Sequence, residues 1–183
     1  MSDRELLARL RDGDTSAFDA IFRAWYAPIV RMVEGMLRER AVAEEIAQDV
    51  LLELWRRRES LSADGSPQAY LFQAARNRAL NHLRHLRVEE RGEAQAAREL
   101  TLPASPDRAL AESEIDGAIR SAVASLPPRC REVFELSRVH GLKYAEIAQT
   151  LGVSVKAVEA QMGKALRTLR ERLAPWLPHG DTL

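Results

Sequence analysis

The stretch from Tyr144 to Arg172, YAEIAQTLGVSVKAVEAQMGKALRTLRER, constrains this chain more than any other. It predicts a short helix from about Tyr144 to Leu151, a tight turn, and a longer helix. Gly152 sits where the backbone must reverse, and glycine enters the left-handed region without a Cβ clash. Ser154 is placed to cap the second helix. Ile147, Leu151, Val153 and Val158 fall where a helix-turn-helix buries its inner side, and Ala148 is small where the two helices come closest. In the second helix Val158, Met162, Ala165, Leu166, Leu169 and Leu173 recur at helical spacing as a buried stripe. Opposite lie Lys156, Ala160, Gly163, Lys164 and Arg167, flanked by Glu159 and Gln161. Small residues beside cations and amides suit a helix lying in a DNA major groove. The plainer alternative is a solvated helix in an ordinary bundle.

The rest of the chain must accommodate this element. Its 183 residues allow one medium domain or two small ones. A formal net charge of zero excludes a uniformly basic nucleic-acid binder. The single cysteine, Cys130, rules out an internal disulfide and fits a reducing cytosol, most simply as a small buried apolar side chain. The N-terminal MSDRELLARLRDGD lacks the apolar core of a signal peptide, and no apolar run approaches the roughly 20 residues that span a bilayer. Few aromatics, few glycines and abundant helix formers predict an all-α protein.

In chain order, Ser2 to Asp12 predicts a first helix ended by Gly13. A second follows from Thr15 to about Leu37, in which Phe18, Ile21, Phe22, Ile29, Val30, Val33 and Leu37 keep a helical period. Pro28 is expected to kink or interrupt it near Tyr26. A third helix, Ala41 to Arg58, buries Ala43, Ile46, Ala47, Val50 and Leu54. Its Leu52 and Trp55 point the other way, beside Glu44, Glu45 and Gln48. A second apolar stripe needs a second cover, either the domain itself or another protein docking with Trp55 as anchor. No histidine stands at ligand spacing among Glu44, Glu45 and Asp49, so no metal site is expected there, nor any cofactor. After a turn-rich loop, Glu59 to Pro67, Ser66 and Pro67 open a fourth helix to about Arg87, with Leu71, Phe72, Ala75, Ala79, Leu83 and Leu86 inward. Arg76, Asn77, Leu80, Asn81 and Arg84 point outward, a set suited to phosphates and bases or simply to solvent. His82 and His85 fit packing or phosphate contact better than metal.

Charge then divides the chain. Glu89 to Glu114 holds seven acids against three bases, with Pro103 and Pro106, and reads as an acidic linker. A helix from about Asp107 to Ser125 follows, with Leu110, Ile115, Ile119 and Val123 inward. Pro128 opens the next, about Arg129 to Val139, and His140-Gly141 ends it. From Arg129 to Arg172 nine bases oppose five acids, the footprint of a DNA-binding module. Trp176, in the short tail, is expected against the last helix. These patterns give two helical domains, each with a basic face, joined by an acidic tether.

AEEIAQDVLLELWRR resembles the core-polymerase helix in region two of bacterial sigma factors of the extracytoplasmic-function group. SPQAYLFQAARNRALNHLR resembles the following helix, which engages the promoter −10 element. LPPRCREVFELSRVHGLKYAEIAQTLGVSVKAVEAQMGKALRTLRERL resembles region four, which reads the −35 element. The family's intermediate domain is absent, as in its minimal two-domain members. The resemblance implies region two at 1–88, a linker at 89–106, region four at 107–174 and a tail at 175–183.

It also implies a mechanism without a catalytic step. Gln48, Asp49, Leu52 and Trp55 would dock on the clamp helices of the polymerase β′ subunit, and the β flap is a further implied contact on core polymerase. The loop Ser60 to Gly65, through Asp64, would join Arg76, Asn77, Asn81 and Arg84 in holding an extruded −10 base. The linker would thread toward the active-site cleft. Lys156, Glu159, Ala160, Gln161, Gly163, Lys164 and Arg167 would face the −35 groove, where Glu159 could accept from a cytosine amino group. The fourth helix offers only Tyr70 and Phe72 where primary sigma factors use an aromatic cluster, so melting is expected to demand a stringent promoter. Cytoplasmic location and an anti-sigma partner, often anchored in the inner membrane, are further implications. The competing reading is a stand-alone helix-turn-helix regulator whose N-terminal helices dimerise or sense a signal.

Overall fold

The computed structural model describes residues 3–62, 65–90 and 114–176. Asp64, the linker from residue 91 on, the expected helical start at 107–113 and the tail beyond Trp176 lie outside the described residues. The chain divides into two compact units, and all regular structure among the described residues is helical.

The first unit contains α1 (Asp3–Arg11), α2 (Thr15–Leu37), α3 (Arg40–Arg56), a 3₁₀ turn (Arg58–Ser60) and α4 (Pro67–Glu90). Local chemistry sets the joints. Gly13 takes φ +80° between α1 and α2. Asp14 then caps α2, its Oδ1 accepting from the Ser16 N–H at 2.9 Å and its Oδ2 from Arg9 Nε at 2.8 Å. The Ser16 hydroxyl, donating to Asp14 Oδ1 at 2.7 Å, and the Arg9 guanidinium together hold the Asp14 carboxyl down at about 2. Arg38 ends α2 in the left-handed region at φ 57°, a position that ordinarily favours glycine. Ser66 Oγ accepts from the Ala69 N–H at 3.2 Å, as expected of the α4 cap.

α2 packs on α3 and α4, and α3 on α4. Ile21, Ile29, Val33, Val50, Leu51, Leu54, Leu71 and Phe72 are fully buried between them. Fully burying side chains of this size contributes roughly 1.5–3 kcal/mol each. Pro28 does not interrupt α2, which is continuous from Thr15 to Leu37. The buried side instead changes there. Ala17 and Ile21 are inward before Pro28, whereas Ile29, Val30, Val33 and Met36 are inward after it, a set displaced around the helix axis at about 100° per residue. Of the residues that keep the helical period, Phe22 is exposed, and Met36 rather than Leu37 is buried near the end of the helix. α4 also runs three residues further than expected, to Glu90. Leu86, in its last turns, is exposed.

The second unit contains α5 (Glu114–Ala124), α6 (Pro128–Arg138), α7 (Tyr144–Leu151), α8 (Val155–Leu173) and a terminal 3₁₀ turn (Ala174–Trp176). Ala122, Leu126, Cys130, Ala165 and Leu169 form its core, with Val123, Phe134 and Leu173 packed against it. Arg131 Nη2 donates to the carbonyls of Ala124 and Leu126 at 2.8 and 3.1 Å, satisfying the open end of α5. Pro128 occupies the first turn of α6 as expected. Gly152 takes φ +65°, and Ser154 Oγ accepts from the Ala157 N–H at 3.1 Å, so the turn forms as its residues dictate.

Four residues expected inward are exposed in this unit. Ile115 and Ile119 are 49% and 42% exposed. They lie on one stripe with Ala122 and Leu126, but α5 meets α8 only at the later end of that stripe. Val153 is exposed at the turn. Leu166 is exposed because it lies to one side of the line Val158–Met162–Ala165–Leu169 that faces inward. Trp176, expected against α8, is 44% exposed.

Candidate nucleic-acid and protein interfaces

α8 presents its outer strip as a consequence of its inner one. With Val158, Met162, Ala165 and Leu169 buried, Lys156, Glu159, Ala160, Gly163, Lys164 and Arg167 fall within an arc of about 140° on the other side, and all six are exposed. The strip has cations at its ends and edge and almost no side-chain bulk at its centre. Nothing lies within 4 Å of a Cβ added to Gly163. Gln161 departs from the expected set. It sits at the border of the two faces, and its Oε1 accepts from the buried Cys130 thiol at 3.1 Å. Burial pushes that thiol up, against the opposing pull of Lys164.

On α4, Asn77, Asn81 and Arg84 are exposed on one outward strip. Arg84 Nη1 donates to Asn81 Oδ1 at 3.0 Å, so the amide and the guanidinium act as one unit. Arg76 is half-buried at the strip's edge, and His82 is half-buried with its Nε2 shielded and without a hydrogen-bond partner.

On α3, Gln48, Asp49 and Leu52 are exposed, Leu52 at 46%. Trp55 is only half-exposed. Its ring lies 5.3 Å from Phe18, and the Arg58 guanidinium covers it at 4.6 Å, a contact worth about 0.5–1 kcal/mol at an exposed site. Trp55 is therefore shared between the domain and the surface. Asp49 is likewise engaged: Arg78, which the sequence reading left without a role, reaches from α4 to Asp49 Oδ2 at 2.9 Å and Glu53 Oε2 at 2.5 Å. A basic residue at the α3-facing edge of α4 was the available signal.

Among the described residues, no group of three or more His, Cys, Asp or Glu is placed to hold a metal ion. No described helix is long and apolar enough to cross a membrane.

Two adjacent parts of the chain match families of known proteins. Residues 21–88 match sigma-70 region 2, and residues 116–169 match sigma-70 region 4. Over 96% of its length the chain is 24% identical to the RNA polymerase sigma-H factor of Pseudomonas aeruginosa, covering 95% of that protein. It is 29% identical to the ECF RNA polymerase sigma factor SigK of Mycobacterium ulcerans, over 92% of this chain and 91% of the other. Among solved structures, CnrH in complex with the cytosolic domain of CnrY is similar in fold, with a TM-score of 0.62 at 23% identity over 94% of this chain and 97% of that one. The sigma factor RpoE of Bartonella quintana, solved with the anti-sigma factor NepR, gives a TM-score of 0.64 at 20% identity, over 86% and 96%.

Proposed function

The chain belongs to the sigma-70 family, as an extracytoplasmic-function sigma factor that directs promoter-specific transcription, and we propose how its surfaces divide that task. The exposed side of α3, with Gln48, Asp49, Leu52 and Trp55, docks on the β′ clamp helices of core polymerase, and the second unit engages the β flap. Asn77, Asn81, Arg84 and Arg76, with Asp64 in the preceding loop, hold the extruded −10 base, whose flipping costs a few kcal/mol that stacking and nearby cations must offset. The outer strip of α8 enters the −35 major groove. Its centre is too small to read many bases, so specificity comes from two modest readings held at fixed spacing. Polymerase supplies the chemistry. An anti-sigma protein holds the chain inactive in the cytoplasm; the similar folds solved with CnrY and NepR motivate this partner.

The observation that carries the reading is Leu52, left 46% exposed on a helix whose other side is fully packed. A stand-alone regulator is not favoured, because both halves match successive regions of one family. Transcription reconstituted with core polymerase tests the assignment. Leu52→Glu should abolish promoter-specific transcripts and weaken core binding tenfold or more (~10-fold), with helicity unchanged. Trp55→Ala is the poorer probe, since it also removes the Phe18 and Arg58 contacts. Core affinity unchanged by Leu52→Glu would remove the docking face from α3.

A further inference from the structure

Arg78 adjoins Asn77 on α4, yet it belongs to a different set. At about 100° per residue it stands off the outward strip of Asn77, Asn81 and Arg84, and its guanidinium reaches α3. Nη1 donates to Asp49 Oδ2 at 2.9 Å and Nη2 to Glu53 Oε2 at 2.5 Å. Arg57 Nη2 pairs with the other Glu53 oxygen, Oε1, at 2.9 Å, so both oxygens of that carboxylate are engaged. Asp49, Glu53, Arg56, Arg57 and Arg78 together line a surface hollow of about 330 Å³. Three guanidiniums against two carboxylates leave it one positive charge in excess. The hollow borders the outward strip. Tyr70 stands about two turns before Asn77 on the same side of α4. Burial raises its phenol, as does the Glu53 charge, against the pull of Arg57 and Arg78, which puts Tyr70 beside the cluster.

Stability explains this cluster poorly. The Arg78, Asp49 and Glu53 side chains keep 38%, 52% and 25% of their surface exposed, and ion pairs this open to water contribute little. What the geometry does is occupy a guanidinium. A fork of N–H donors set against two anionic oxygens is also how arginine grips a phosphate. Asp49 and Glu53, one turn apart on α3, supply the two oxygens that a phosphate would supply.

We infer that Asp49 and Glu53 act as an internal anion that competes with nucleic-acid phosphate for Arg78. The ligand is the backbone of single-stranded DNA lying along the strip from Tyr70 to Arg84, so the inference rests on the −10 contact proposed for α4. While both carboxylates hold it, Arg78 adds little to binding, and a strand gains this contact only by displacing them. The free chain thereby attenuates its own affinity for nucleic acid, at a residue next to Asn77.

The test uses the full chain without polymerase, so the part proposed for Asp49 in docking does not enter. Fluorescence anisotropy follows binding of a labelled, mixed-sequence single-stranded DNA oligonucleotide across a salt titration. Asp49→Asn with Glu53→Gln keeps both side-chain shapes. The pair should raise affinity about three- to tenfold and steepen the salt slope by about 0.7, one further phosphate contact on a single strand. Arg78→Gln alone should change affinity less than about twofold, because that guanidinium is already occupied, whereas in the neutralised chain it should remove the gain. Unfolding cannot produce tighter binding with a steeper slope. Relief of repulsion by two acids is the same with and without Arg78, so a gain that survives Arg78→Gln overturns the inference, as does the absence of any gain. Arg84→Ala is the separating arm. If it weakens binding severalfold while the carboxylate pair gives no Arg78-dependent gain, the internal competitor is overturned and the α4 contact stands. If neither changes binding, both are overturned.

Discussion

Gly163→Ala isolates the cost of the small centre of the α8 strip. Gly163 lies inside a 19-residue helix, where glycine is destabilising by roughly 0.5–1 kcal/mol relative to alanine, because it loses more backbone freedom on folding. Two things could cancel this gain, a left-handed backbone or a neighbour in the way. Neither is present, since Gly163 is not among the residues of positive φ and an added Cβ meets nothing within 4 Å. The full gain of about 0.5–1 kcal/mol should therefore appear. At RT of about 0.59 kcal/mol it corresponds to amide exchange in α8 slowed about two- to fivefold where exchange follows opening of that unit. Hydrogen exchange reads the second unit separately from the first, which a single melting curve would not. If the backbone at 163 approaches a DNA strand, the same variant should bind −35 duplex less well as part of holoenzyme despite its greater stability. Exchange that is unchanged or faster would refute the propensity argument. Greater stability with unchanged −35 affinity would refute the close approach alone.

Other outcomes follow from single residues. Arg38→Gly should stabilise the first unit by about 0.5–1 kcal/mol: a non-glycine residue in the left-handed region costs about 1–2 kcal/mol, part of which glycine returns as unfolded-state entropy. Urea unfolding reads this, and destabilisation would mean the Arg38 side chain contributes more than its backbone costs. Asp14 is depressed from 3.8 to about 2, so its contribution is complete above pH 4 or so and is lost as pH falls through about 2. Wild type and Asp14→Ala should therefore converge in stability on acidification. Glu135 has the opposite sign. Burial raises its carboxyl, only partly offset by Arg131, so the second unit loses stability as pH rises through the Glu135 titration. Glu135→Gln should be more stable than wild type near neutral pH, and the difference should vanish below about pH 4.5. Lys164→Ala should weaken −35 binding across sequences and reduce the salt slope by about 1, while core affinity stays constant; loss of core binding would move Lys164 to another surface.

The parts legible from sequence were those in which neighbours along the chain decide the outcome. Gly152, Ser154, Ser66 and Pro128 each adopt the role their own backbone chemistry prescribes. The inner and outer sides of α8 follow from helical period, and six of its seven proposed groove residues are exposed on that period alone. Gln161 was not decidable in this way, because its partner is a thiol 31 positions away on α6. Nor was Arg78, whose two carboxylates belong to α3.

Periodicity established that apolar stripes exist, but tertiary structure decided which were covered. Ile115, Ile119, Leu86 and Phe22 sit on apolar stripes, yet they stay exposed. A side chain's pattern is local, whereas its burial depends on the length, register and direction of the helix opposite. Pro28 shows the same division. Its ring removes one hydrogen bond whatever the fold, but packing on α3 and α4 kept α2 continuous and let its buried side shift at that point.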